Sequence, residues 1–368
     1  MKRPVIVADD RIPFLQGVLE PYCDVTYLPG GKIDRNAVRN ADAVITRTRT
    51  RCNAELLEGS TVRLITTATI GFDHIDTDYV EKSGITWFNA PGCNAASVRQ
   101  YIASALLSLS AKYGFSLAGK TLGVVGVGHV GKLVADLGER WGMRVLRNDP
   151  PREEAGEKGF VSLDELLEQS DMVTLHVPLE YEGKYPTFHM ADEKFFSKMR
   201  KGAIFFNASR GEAMDSEAVK KALKSGQIAK CIIDVWENEP AIDRELMEMS
   251  FISTMHIAGY STDGKANGTA ASVQAVARCL NIPELFEWTP ETIPEPLEAK
   301  EIPFAGVKET VLHTYDPARD SDALKKDTDK FEELRGSYPI RREFQAFTVT
   351  GVPEEKKALL KSLGFNIG

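Results

Sequence analysis

The chain has 368 residues, enough for two or three domains that each bury a core of their own. Its 43% hydrophobic and 27% charged residues describe an ordinary globular protein, and a net charge of −8 supplies no field to draw in nucleic acid or an anionic membrane. Five cysteines (Cys23, Cys52, Cys93, Cys231 and Cys279) lack CxxC spacing, which points to reduced thiols in a cytoplasmic protein and away from zinc. The opening MKRPVIVADDR reaches Asp9 too soon for a signal peptide. The most apolar run, 101–117, is interrupted by Ser104, Ser108, Ser110 and Lys112 and is too short to span a bilayer.

Residues 1–93 read as a first α/β unit, with apolar strands at 4–8, 43–47 and 63–67 and helical spacing at 11–19 and 54–57. Two stretches within it suit an anionic ligand. In TRTRTR, 46–51, an extended chain places Arg47, Arg49 and Arg51 on one side; Arg49 and Arg51 read equally well as a solvated face. Arg47 and Thr48 sit nearest the strand end, where ligands collect. In TATIGFDHID, 67–76, the small residues and Gly71 let backbone N–H groups approach an oxyanion, while His74 and Asp76 fix the turn. Pro91-Gly92 breaks the pattern, and Asn94 is placed to cap a long helix at 95–113.

The run 120–149, KTLGVVGVGHVGKLVADLGERWGMRVLRND, carries the strongest signal: an apolar strand, Gly126-x-Gly128-x-x-Gly131, an amphipathic helix, a second strand, and Asp149 at the expected distance of about 20 residues. The first glycine permits a tight turn, the second lets backbone approach a pyrophosphate, and the third lets helix and strand pack closely. His129 and Val130 open the helix whose N–H groups and dipole face the phosphates. Asp149 can accept from both ribose hydroxyls and repels a 2′-phosphate, so the cofactor reads as NAD rather than NADP. Strand–loop–helix repetition continues through strands at 172–177, 203–206, 231–235 and 251–254, as expected of a doubly wound parallel sheet. Helical spacing at 264–281 leads the chain back toward the first domain.

Ligands of such a sheet lie beyond the carboxyl ends of its strands. Successive strand ends offer Asn207-Ala-Ser-Arg210-Gly211, then Trp236-Glu-Asn-Glu239-Pro240 preceded by Asp234 inside the strand, then His256-Ile-Ala-Gly259-Tyr260. Singly, each has a plain structural reading. Together they provide a general base with a carboxylate partner (His256 and Glu239) and a two-point grip for a substrate carboxylate (Arg210). That set fits hydride transfer between a dinucleotide and a 2-hydroxy acid. The chain has no GxSxG elbow for a hydrolase and too few clustered ligands for a metal site. Prolines at 283, 290, 294, 296 and 303 mark a linker; beyond it lie apolar runs at 307–313 and 347–352 and helical stretches at 322–334 and 354–363.

In this order GxGxxG, Asp149, HVPL, NASRG, DVWENEP and HIAGY resemble the D-isomer-specific 2-hydroxyacid dehydrogenase family over about residues 1–280. The segments TATIGFDHID, PGCNA, HIAGYSTDGKA and the tail motifs YDPARD and YPIRREF resemble a branch of that family acting on a phosphorylated sugar acid, 4-phospho-D-erythronate. The resemblance implies two Rossmann-like doubly wound parallel-sheet domains plus a small C-terminal α+β domain: substrate-binding at 1–93 and 260–290, NAD-binding at 94–259, and a dimerisation domain at 291–368. It implies NAD-dependent oxidation with Arg210, Glu239 and His256 catalytic. Asp149, Val177, Asp234 and Gly259 would contact NAD, and Thr48, Thr69 and Tyr260 would contact the substrate. Val177 stands where the family often has Thr, so only backbone could reach NAD there; Thr48 replaces a usual Ser and keeps the hydroxyl. Rival readings are a dehydrogenase for 3-phosphoglycerate or glyoxylate, and an NAD-sensing corepressor on the same fold.

Overall fold

The computed structural model describes residues 3–368. They divide into two compact units, Met1–Asn94 with Thr262–Pro294, and Ala95–Ser261 with Glu295–Gly368. The first unit is built on five parallel strands, β1 (Val5–Asp9), β2 (Asp24–Leu28), β3 (Ala43–Thr46), β4 (Leu64–Thr67) and β5 (Thr86–Phe88), in the order β2-β1-β3-β4-β5. Alternate side chains feed two cores. Ile6, Ala8, Ala43, Ile45 and Leu64 pack with Val273, Val276 and Ala277 of the helix Thr262–Leu280; Val7, Val44 and Ile65 pack with Val38, Leu56, Leu57 and Val80. With both faces covered, these strands read as short continuous apolar runs.

The second unit is built on six parallel strands: β6 (Thr121–Val125), β7 (Arg144–Asn148), β8 (Met172–Leu175), β9 (Ala203–Asn207), β10 (Ile228–Ile233) and β11 (Ile252–Ser253). Their order is β11-β10-β9-β8-β6-β7, so the winding reverses between β6 and β8, the crevice at which an open parallel sheet takes its ligand. The tail adds a small parallel sheet of β12 (Glu301–Pro303), β13 (Thr348–Thr350) and β14 (Asn366–Ile367). Its core is not separate. Val311, Leu324, Phe331, Phe344, Phe347 and Leu360 belong to the same buried cluster as Leu106 and Leu109 of the helix Ala95–Tyr113 and Phe205 and Ile252 of the large sheet. The tail thus clusters with 95–261 as one compact body, where the sequence suggests a third unit starting at 291.

Four local expectations need correction. Residues 11–19 form turns, not a helix, because Pro13 withholds a donor and both Phe14 (φ 64°) and Gly17 (φ 85°) sit in the left-handed region. The arginine run does not stay extended. It bends at 48–50, where Thr50 is buried and donates its hydroxyl to Gly30 O at 2.9 Å. Asp234 lies just past β10 rather than inside it. In the tail, the stretch at 322–334 breaks into Pro317–Lys326 and Phe331–Gly336 because Asp327 leaves helical geometry (φ −150°, ψ 81°). The apolar run at 307–313 is the helix Val307–Thr314, with Thr310, Val311 and Thr314 buried on one face.

Because the core is shared, Phe347→Ala should cost about 3–5 kcal/mol and lower the melting temperature of tail and large sheet together, as one calorimetric transition. A separate early transition that leaves the rest of this unit intact would contradict it.

Candidate active site

The Gly-rich turn follows β6 directly. Gly126 has φ 82°, and a Cβ there would lie 2.6 Å from His176 O, so this turn accepts no side chain on either ground. A Cβ on Gly131 would lie 1.9 Å from Gly126 O, which is the close packing of helix on strand that the motif requires. At Gly128 a Cβ would meet nothing within 4 Å. That residue caps the helix His129–Arg140 without a side-chain hydrogen bond, and no acid sits in the first turn. His129 and Val130 therefore begin a helix with no acid in its own first turn, and the open space at Gly128 suits a pyrophosphate.

Asp149, at the end of β7, ties this turn down. Its Oδ2 accepts from Val127 N at 2.7 Å and its Oδ1 from Arg152 N at 3.2 Å, which leaves lone pairs on both oxygens for ribose hydroxyls. Arg152, the nearby cation, is held by Glu157 through two bonds (2.8 and 2.7 Å) and donates to Val127 O at 2.6 Å. Val177 follows β8 and turns its side chain toward Gly126. The adjoining His176 pairs its Nε2 with Thr174 Oγ1 at 3.0 Å, and burial pushes its pKa down to about 3.

Three loops at the ends of β9, β10 and β11 form the second half of the site. Asn207 shapes the first, accepting from Ser209 N and Oγ and donating to Arg210 O at 2.9 Å; Arg210 Nη1 donates to Ser209 O at 2.8 Å. A Cβ on Gly211 would lie 2.0 Å from the carbonyl of Trp236, so the Arg210 loop rests directly on the backbone that leads to Glu239. Trp236 links the second loop to the third, its N–H donating to Glu239 Oε1 at 3.0 Å and its indole N–H to Thr254 O at 2.8 Å. His256 and Glu239 then meet: Nδ1 lies 2.9 Å from Oε2 and 3.1 Å from Oε1. Burial pushes the Glu239 carboxyl up, but the imidazole, its hydrogen bond, the field of Arg335 and the Trp236 N–H outweigh it, and the group ends below its ordinary value.

His256 sits at φ 57°, a left-handed conformation costing a non-glycine residue about 1–2 kcal/mol. Asp234 holds it there. Its carbonyl accepts from His256 N at 2.7 Å, and its buried carboxylate accepts from Thr254 Oγ1 (2.6 Å), Ile257 N (2.8 Å) and Ala258 N (2.9 Å). Expected as a cofactor contact, Asp234 spends the bonds recorded for its carboxylate on the catalytic loop itself.

Sequence reading missed a second brace, from the tail. Arg341, fully buried, donates to Ala258 O at 2.6 Å and to Ser97 Oγ; Ser97 Oγ in turn donates to Ala258 O at 2.8 Å and accepts from Ser261 N at 3.1 Å. Glu343 Oε1 accepts from Ser261 Oγ at 2.6 Å. Gly259 and Tyr260 lie between these anchors. Ser97 and Arg341 are 244 residues apart, so no local pattern could have paired them.

Of the expected substrate residues, Tyr260 belongs to this body and Arg47, Thr48 and Thr69 to the other. Arg47 Nη1 donates to Arg11 O at 3.1 Å, Thr48 is exposed, and Thr69 Oγ1 bonds Thr67 Oγ1 and Gly71 O, each at 2.8 Å. Among the described residues no group of three His, Cys, Asp or Glu side chains could hold a metal ion, and no helix is long and apolar enough to cross a membrane.

Residues 95–258 match the model of the D-isomer specific 2-hydroxyacid dehydrogenase NAD binding domain, and 299–364 match a domain of unknown function. The erythronate-4-phosphate dehydrogenase of Bacteroides fragilis is 51% identical over 346 residues, which cover 94% of this chain and 98% of that one. That of Cronobacter sakazakii is 39% identical, covering 98% of each. The chain belongs to the erythronate-4-phosphate dehydrogenase family. Among solved structures, the D-lactate dehydrogenase of Aquifex aeolicus complexed with NAD and lactic acid aligns at TM-score 0.64 and 29% identity, over 79% of this chain and 100% of that one. The NAD-bound 3-phosphoglycerate dehydrogenase of Entamoeba histolytica aligns at 0.65 and 25%, over 76% and 96%. NAD is the cofactor, as the matched domain and these neighbours agree with the Gly-rich turn.

Two outcomes follow from this geometry. Glu239→Gln should lower kcat about 10²-fold, since the imidazole loses the carboxylate that orients it. Because the Glu239 carboxyl is depressed, its stabilising contribution is full above the ordinary glutamate value and goes as pH falls through the lowered one; the variant should lack that acid-dependent loss in thermal melts. Asp149→Ser should narrow the preference for NAD over NADP by roughly tenfold or more in steady-state kinetics. An unchanged ratio would remove Asp149 from cofactor selection.

Proposed function

We propose that this NAD-dependent dehydrogenase oxidises 4-phospho-D-erythronate to 2-oxo-3-hydroxy-4-phosphobutanoate, in the route to pyridoxal 5′-phosphate. The observation that carries the reading is the His256–Glu239 pair at 2.9 Å, on the carboxyl edge of a sheet whose Gly-rich turn is shaped for a dinucleotide. The relatives' name supplies the substrate. Bound NAD supplies a hydride acceptor. The Nδ1–H of His256 donates to Glu239, which fixes the tautomer and leaves Nε2 as the basic nitrogen. As the C2–H bond gives up its hydride, Nε2 takes the proton of the C2 hydroxyl and the C–O bond becomes a carbonyl. Glu239 then faces an imidazolium, and the charge separation is stabilised in a half-buried pair.

Arg210 holds the substrate carboxylate in two-point fashion, which aligns C2 for hydride loss. Gly126, Gly128, His129, Val130 and Gly131 take the pyrophosphate and Asp149 the adenosine ribose; Val177 and Gly259 offer backbone. Arg47, Thr48, Thr69 and Tyr260 contribute substrate contacts. The protein acts in the cytoplasm as a homodimer held through the C-terminal segment, a state that sedimentation at micromolar concentration reports directly.

NADH formation on a panel of 2-hydroxy acids tests the substrate. Turnover of 4-phospho-D-erythronate should exceed that of 3-phosphoglycerate and of glycolate by about tenfold or more in kcat/KM. Faster turnover of an unphosphorylated acid would overturn the reading. His256→Ala should keep NAD affinity while losing about 10²-fold or more in kcat.

A further inference from the structure

We propose that Arg335, from the tail, is a substrate-binding residue that receives the terminal phosphate of the substrate and so sets specificity for a phosphorylated acid. The inference rests on the substrate reading above and extends it to a residue outside the dehydrogenase motifs. Arg335 lies in the short helix Phe331–Gly336 of the tail, yet its guanidinium carbon stands 5.4 Å from the centre of the Tyr260 ring. Tyr260 directly follows Gly259 in the loop that carries His256, and an aromatic neighbour of its ring, Tyr338, also comes from the tail (6.2 Å, edge to face). The tail therefore delivers a cation onto the residue that closes the catalytic loop.

Arg335 is poorly satisfied where it stands. Its side chain is only 14% exposed and its Nε is buried with no hydrogen-bond partner among the described residues. Its ion pair with Glu332 is long, 3.9 Å, and that carboxylate is itself 40% exposed. A guanidinium out of water with weak neutralisation is costly to keep, and an incoming dianion removes that cost by supplying charge and acceptors together. Arginine suits this task because its fork of N–H donors matches phosphate oxygens and keeps its charge at every working pH. The position is chemically apt. The reacting carbon must lie by His256 and the carboxylate by Arg210, so a group two carbons beyond C2 extends past this centre. The field of Arg335 is felt at Glu239, which sets the guanidinium on the same side of the fold as the acid–base pair.

The test compares Arg335→Gln and Arg335→Lys with the parent enzyme on 4-phospho-D-erythronate and on D-erythronate, with NAD affinity followed by fluorescence to show that the site is intact. Arg335→Gln should raise KM for the phosphorylated acid about tenfold or more while D-erythronate kinetics and NAD affinity stay within about twofold; lysine should recover part of the loss. Equal losses on both acids, or a fall confined to kcat with a shifted pH profile, would show that Arg335 acts only through Tyr260 or Glu239 and would overturn the proposal. A parent enzyme that fails to prefer the phosphorylated acid would instead overturn the substrate reading, whatever the variants do.

Discussion

One buried carboxylate organises the catalytic half of the molecule. Asp234 accepts from Thr254 Oγ1, Ile257 N and Ala258 N, while its own carbonyl takes His256 N. Three of those four donors are backbone or side-chain groups flanking one histidine, so the loop has little freedom to relax. This explains how His256 persists at φ 57°. Net hydrogen bonds to a charged acceptor are each worth about 1.5–3 kcal/mol, more than the left-handed conformation costs. The strain is local, and the imidazole is aimed by backbone geometry before Glu239 orients its ring. Tyr101 adds a further tie through Thr254 at 2.9 Å.

The same loop is gripped from the opposite side by the tail, and this makes the tail part of the active-site support. Arg341 reaches Ala258 O while its guanidinium stacks over Tyr315 at 4.3 Å and Tyr338 at 5.8 Å. Both tyrosine hydroxyls donate to Asp320 Oδ2, at 2.9 and 2.7 Å. Burial pushes the Asp320 carboxyl up, and the bonds from Tyr338 and Tyr315 and the charge of Arg341 only partly oppose it. A buried cation among aromatic rings, with a carboxylate held by their hydroxyls, is a network in which each member depends on the others. It joins three tail segments to the residue two places beyond His256.

Much of this was legible in the sequence where the physics is local. The Gly-rich turn could be read residue by residue because each glycine answers a separate constraint on backbone geometry, and the strands of both sheets stand out as short apolar runs bounded by turn residues. The pairing of Glu239 with His256 could be inferred from topology alone, since adjacent parallel strands place their following loops side by side. Long-range packing was not legible. Nothing near Arg341 says that it will lie under Ala258, and nothing near Arg335 says that it will stand over Tyr260. The helix at 307–314 was ambiguous for a different reason. A short apolar run fits either period, and only its burial on one face decides the matter. Residues 11–19 show the reverse failure, where helical spacing was overruled by Pro13 and two left-handed residues.

The division of labour that results has a simple physical basis. On the proposed reading, cofactor recognition rests on backbone and glycine, which a parallel sheet provides wherever its winding reverses, here between β6 and β8. On the proposed mechanism, acid–base chemistry rests on side chains at the ends of β9, β10 and β11, carried to the same edge because all six strands run in one direction. Both are therefore consequences of the sheet, and a protein acting on a different acid can keep them unchanged. The lactate and 3-phosphoglycerate dehydrogenases align with this chain on that shared basis. Discrimination among acids has to come from groups that the sheet does not dictate. In this body the charged and aromatic residues that the tail presses against the His256 loop are such groups, and on the proposed reading a change of side chain there alters which anion is neutralised while the chemistry at C2 stays the same.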